Sequence, residues 1–113
     1  MGLFDVFKGG GGGLKKHVAR VANKRAQKHE RWESIEVLAS DGSDEALRAL
    51  LTRFTVRVDP SITDGEEKNL AFHGVVQHGE AALDPVLDFL SSSETLAWPL
   101  KILKEIQSEE QVT

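Results

Sequence analysis

The sequence contains no cysteine and no tyrosine. The first absence excludes disulfides, thiolate zinc sites and cysteine nucleophiles, and it makes a reducing cytoplasm the expected setting. With both side chains missing, and with Ser and Thr mostly at caps and turns, no nucleophile–base set stands out. Long hydrophobic runs are missing as well. The longest apolar stretch is a few residues, far short of the roughly 20 that a spanning helix needs. A secretory signal is not expected, because Asp5 and Lys8 interrupt the apolar N-terminal part and glycines stand where a cleavage site would lie. What is present, 40% hydrophobic and 28% charged residues over 113 positions, is the composition of one ordinary globular domain.

The net charge of −4 conceals an asymmetry. Residues 1–31 hold eight Lys or Arg against two acids, a balance of +6, whereas residues 32–113 hold six against sixteen, a balance of −10. The chain opens on a short apolar tip, Leu3, Phe4, Val6 and Phe7, followed by five glycines, Gly9 to Gly13. Residues 1–13 read as an apolar tip on a flexible linker. Residues 14–29, LKKHVARVANKRAQKH, hold no Gly or Pro and place Leu14, Val18 and Val21 at helical spacing, which predicts a basic helix with a narrow apolar stripe. The helical pattern continues through Trp32, Ile35, Leu38 and Ala39. Whether residues 14–40 form one helix or two stays open, with a soft joint placed near His29.

Asp41-Gly42-Ser43 reads as a turn, with Ser43 as N-cap of a helix that buries Ala46, Leu47, Leu50, Leu51 and Phe54. Residues 55–62 read as an extended connection, since Val56 and Val58 alternate and Pro60 keeps Asp59 extended. Thr63 and Glu66 have capping-box spacing, which predicts the next helix start, and Gly79 its end. EAALDPVLDFL, a Ser91-Ser92-Ser93 break and TLAWPLKILKEI follow, with Pro99 in the first turn of the last helix. Residues 109–113 read as a frayed polar tail.

An internal repeat underlies these helices. Laid over each other at an offset of 36, DGSDEALRALLTRF (41–54) and QHGEAALDPVLDFL (77–90) match Ala46 with Ala82, Leu47 with Leu83, Leu50 with Val86, Leu51 with Leu87 and Phe54 with Leu90. An aromatic opens the helix before each copy, Trp32 and Phe72, and Trp98 opens a third. One helical hairpin cannot hide its apolar face alone, whereas stacked hairpins share a core. DGSDEALRALL and HGEAALDPVLDFL resemble the HEAT-like repeats of bacteria, including the short-helix variety first associated with phycobilisome lyases, over roughly residues 30–108. The resemblance implies an all-α fold, a short α-solenoid of antiparallel helix pairs with a flexible N-terminal arm, and a protein-binding scaffold rather than a catalyst. The third helix has no partner before Thr113, so either it caps the stack as a lone helix or the chain is a shortened form of a longer array; with nothing in SEEQVT reading as a polar cap, the second is slightly favoured.

Other chemistry finds little support in the residues. The glycine run lacks the Gly-Lys-Ser/Thr of a phosphate loop, and Val6 occupies the Ser/Thr position of the N-terminal lipidation signal. His73 and His78 are five apart, on different helix faces, and His17 and His29 lie among like charges. Glu66-Glu67 reads as a solvated helix start, and Trp32, Phe72 and Trp98 as core. No metal, cofactor, catalytic residue or small-molecule substrate is therefore expected. The expected function is that of a cytoplasmic, non-catalytic adaptor that binds a protein partner. The alternative is a peripheral protein at the inner face of the membrane. Its contact residues would be Leu3, Phe4 and Phe7 of the tip with Lys15, Lys16, Arg20, Lys24, Arg25 and Lys28 against an anionic surface. Nucleic acid is not an expected partner, because no aromatic within 14–31 offers base stacking.

Overall fold

Punctuation by a few residues divides the chain into six α-helices among the described residues, which in this computed structural model are 12–112, with side chains over 14–108. They are α1 (Gly12–Val21), α2 (Lys28–Asp41), α3 (Asp44–Thr52), α4 (Ser61–Val76), α5 (Leu83–Ser92) and α6 (Ala97–Val112). Short 3₁₀ turns, Arg53–Thr55 and Gly79–Ala82, follow α3 and precede α5. No strand occurs among the described residues, so the chain is all-α.

The stretch 14–40 is two helices, and the break falls at residues 22–27, ahead of His29. Asn23 supplies the reason. Its side-chain oxygen accepts the Arg25 N–H at 2.9 Å, a local bond that competes with the helix ladder. Gln27 and Glu30 then exchange side-chain and backbone bonds as a capping box and restart the helix. The turn after α2 follows the sequence expectation. Gly42 adopts φ 67°, its N–H donates to the Leu38 carbonyl, and Ser43 Oγ accepts the Ala46 N–H at 3.2 Å.

Three boundaries depart from expectation. α4 starts at Ser61, because the Pro60 carbonyl already accepts the Asp64 N–H at 3.1 Å, and Thr63 is buried instead of capping. Phe72 consequently sits deep within α4 and opens nothing. α5 runs on to Ser92, with the Ser91 and Ser92 hydroxyls turned back onto the Asp88 carbonyl at 3.0 Å. α6 continues to Val112, through residues expected as a tail, since no Gly or Pro follows Pro99.

The helices touch in two successions, α1 with α3 and α3 with α5, and α2 with α4 and α4 with α6. Between them lies one core built on Ile35, Leu38, Leu47, Leu50, Leu51, Val75 and Val86. Gly74 lets α4 approach α2 closely: a Cβ there would lie 2.7 Å from the Ala39 Cβ. Trp98 of α6 stacks on Phe54 with centroids 5.0 Å apart and leans on Phe72 at 6.0 Å, and Lys101 Nζ lies 4.9 Å from the Trp98 ring centre. The aromatic expectation holds for Phe72, which is buried, while Trp98 is half-buried and Trp32 borders a surface groove.

Two glycines give a contrasting test. At Gly42 the φ is positive, and a Cβ would collide with the ring of His78, which is held by the Ala39 carbonyl. At Gly65, inside α4, a Cβ meets nothing within 4 Å. Gly42→Ala is expected to lower the urea-unfolding free energy by about 1–3 kcal/mol, and Gly65→Ala to raise it by about 0.5–1 kcal/mol.

Candidate functional site

The most unusual chemistry in the chain is a buried ionic cluster. Glu67 was expected at a solvated helix start, but its side chain is fully buried. α4 begins three residues earlier than the Thr63 cap suggested, and Glu67 lies on its inner face, opposite α2 and the 3₁₀ turn. Its Oε1 accepts from Arg31 Nε at 2.9 Å and from Arg53 Nε at 3.0 Å. Both arginines are also buried. Arg53 Nη2 donates to Asp64 Oδ1 at 2.8 Å, and Lys68 Nζ reaches Asp64 Oδ2 at 2.9 Å. Burial acts to raise the Asp64 pKa, but the hydrogen bonds from Arg53, Lys68 and the Val58 N–H outweigh it and bring the group down to about 2.

The cluster fixes two irregular segments. Arg53 Nη1 donates to the Val56 carbonyl at 2.9 Å, and Asp64 Oδ1 accepts the Val58 N–H at 3.1 Å, which holds the 56–60 connection. Arg31 Nη1 donates to the carbonyl of Ala26 and approaches those of Asn23 and Lys24 at 3.4 and 3.5 Å, which holds the joint between α1 and α2. Joint and connection face each other across a cleft of about 450 Å³. Lys24, Lys28, Arg31 and Arg57 line it, against a single carboxylate, Asp59.

The basic residues singled out in the sequence are dispersed rather than gathered on one helix. Lys15 and Lys16 are exposed on α1, Lys24 and Arg25 are exposed in the joint, and Lys28 is exposed at the start of α2, 3.7 Å from Glu66. Arg20 is half-buried and lies 3.7 Å from Glu33. Leu3, Phe4 and Phe7 lie outside the described residues. α1 presses Leu14, Val18 and Val21 onto the core, together with His17, whose Nδ1 lies 2.9 Å from Ser34 Oγ. Burial, reinforced by Lys16 and Arg20 and opposed by Glu33, lowers the His17 pKa from its ordinary value.

A second surface lies on α5. Leu83, Leu87 and Leu90 form a stripe at i, i+4 and i+7. Their counterparts 36 residues earlier, Leu47 and Leu51 of α3 and Phe54 of the 3₁₀ turn after it, are buried, with Leu51 at 1% exposure. Leu87 is 48% exposed, and Leu83 and Leu90 are half-buried. α3 has α5 alongside it, whereas α5 contacts only α3, α6 and the preceding 3₁₀ turn to any extent among the described residues. Leu96 and Leu100, beside and on α6, are 49% and 51% exposed. Among the described residues no cluster of His, Asp or Glu has the geometry of a metal site, and no helix is long and apolar enough to cross a membrane.

The chain matches no family model, no curated protein and no solved structure.

Two predictions follow from the buried groups. Glu67→Gln keeps the side-chain shape but removes the only carboxylate on Arg31 and leaves Arg53 with Asp64 alone, an expected loss of about 3–5 kcal/mol in urea unfolding. For His17, the folded pKa lies below the unfolded one, so its contribution is present above about pH 6.5 and is lost on acidification. Amide exchange in α1 is expected to show a falling opening free energy below about pH 6.5, and His17→Gln to abolish that dependence.

Proposed function

We propose that the chain is a non-catalytic HEAT-like repeat adaptor, a short α-solenoid that recognises a partner protein through the leucine stripe of α5. The observation that carries this reading is the contrast between Leu51 at 1% exposure and its repeat counterpart Leu87 at 48%. The same position is closed by a neighbouring helix in one copy and open in the next. The occupant that fits is a partner helix with its own leucine or valine stripe, laid along α5 as α5 lies along α3.

The repeat interpretation draws support from which residues meet. Arg31 bonds Glu67, 36 positions on, and Arg48 reaches Asp88, 40 positions on, at 2.8 Å. Gln77 and His78 bond the Ala39 carbonyl, 38 and 39 positions back. Contacts clustered near one period are what stacked copies of a single unit produce. A peripheral role at an anionic membrane is the second reading, favoured by the exposure of Lys15, Lys16, Lys24 and Arg25.

A photo-crosslinking residue at position 87 is expected to trap one defined protein in cells, and the same residue at Ile62, more exposed still on the first turn of α4, is expected not to. Leu87→Glu should abolish co-purification of that protein while leaving the circular dichroism spectrum and melting temperature unchanged. Equal trapping at 62 and 87, or retention of the partner by Leu87→Glu, would defeat the reading.

A further inference from the structure

The cleft between the α1–α2 joint and the 56–60 connection has features that the adaptor reading leaves unused. Four cationic side chains line it with one lining carboxylate, Asp59, while Glu66 lies 3.7 Å from Lys28 at the rim and Glu67 behind Arg31. Three of the four, Lys24, Lys28 and Arg57, are exposed and could reach a ligand from the rim. The fourth, Arg31, is 5% exposed at the side chain and is locked from behind, with Nε on Glu67 and Nη1 on the carbonyls of the joint. Its Nη2 has no acceptor among the described residues, although Arg31 lines the cleft. A guanidinium whose orientation is already fixed loses little freedom on accepting an anion, and it presents planar donors suited to phosphate oxygens. The walls are held by the Arg53–Asp64 pair, so the cleft is preorganised. Its volume of about 450 Å³ falls in the range of small-molecule sites and exceeds what a bare inorganic ion fills.

We infer that this cleft binds a phosphomonoester, with the Arg31 guanidinium at its floor and Lys24, Lys28 and Arg57 around the phosphate. The dianion is the form that three rim cations favour. The phosphate can be carried by a soluble small molecule or by a lipid headgroup, since both present the same group to the cleft. This inference stands independently of the adaptor reading, because it uses the opposite part of the chain and none of the α5 leucines.

The test is titration of the full chain, followed by amide chemical shifts, with inorganic phosphate, with glycerol 3-phosphate, and with phosphatidylcholine vesicles with and without phosphatidic acid. Ionic strength is matched with chloride throughout. Shifts are expected at residues 24–31 and 57–63 for at least one phosphomonoester, soluble or vesicle-borne, and whichever arm binds tighter identifies the source. Affinity should rise with pH through about 6, as the second phosphate proton is lost. The double variant Lys24→Ala, Arg57→Ala, which removes only exposed side chains, should weaken binding roughly tenfold or more. The double variant Lys15→Ala, Lys16→Ala, equally exposed but outside the cleft, should leave it unchanged. Equal losses in the two variants would reveal diffuse attraction and overturn the site. So would shifts that chloride reproduces, or no response to any of the phosphate probes.

Discussion

The two irregular segments that frame the basic cleft are tied to one carboxylate. Glu67 is fully buried and its Oε1 is shared by two arginines, one from α2 and one from the turn after α3. Removing such charges from water is costly, and their mutual attraction compensates only if the geometry is good and the remaining donors are satisfied. Here they nearly are. Arg53 spends its other nitrogens on Asp64 and the Val56 carbonyl, and Arg31 spends Nη1 on the joint, while Glu67 Oε2 has no partner. The cluster's role is positional: it holds the joint ahead of α2 and the 56–60 connection in place. Both walls of the basic cleft follow from that.

The helices themselves were legible from local rules. Gly42 and Ser43 marked a turn and a cap, and the spacing of Ala46, Leu47, Leu50 and Leu51 marked a buried face, because backbone sterics and burial both act over a few residues. Arg31 and Glu67, which touch, are also 36 positions apart. Local rules failed where a distant group intervened. Asn23 was the available sign of the break at 22–27, but a basic, glycine-free stretch outweighed it, and the carbonyls of that joint are held by Arg31, which no short window contains. Glu67 looked like surface for a similar reason. A Glu beside another Glu in a helix is ordinarily solvated, and its two arginines lie 36 and 14 positions away.

The candidate sites divide along the same line. The apolar stripe on α5 could be read from the repeat, although its exposure could not, since that depends on which helix lies next to it. The basic residues could be counted in the sequence but not gathered. Lys24, Lys28 and Arg57 meet only because the joint and the connection are clamped from opposite sides of Glu67. Lys15 and Lys16, which the sequence placed with them, lie on α1 and do not line the cleft.

The sign of the charge at the α2–α4 contact also limits which helices can lie together. Were α2 to pair with another α2, two arginines would be sealed together in a dry interior, and a pair of α4 helices would trap two glutamates in the same way. Only the hetero-pair is electrically neutral, so the choice of neighbour is written into the charge at a single position.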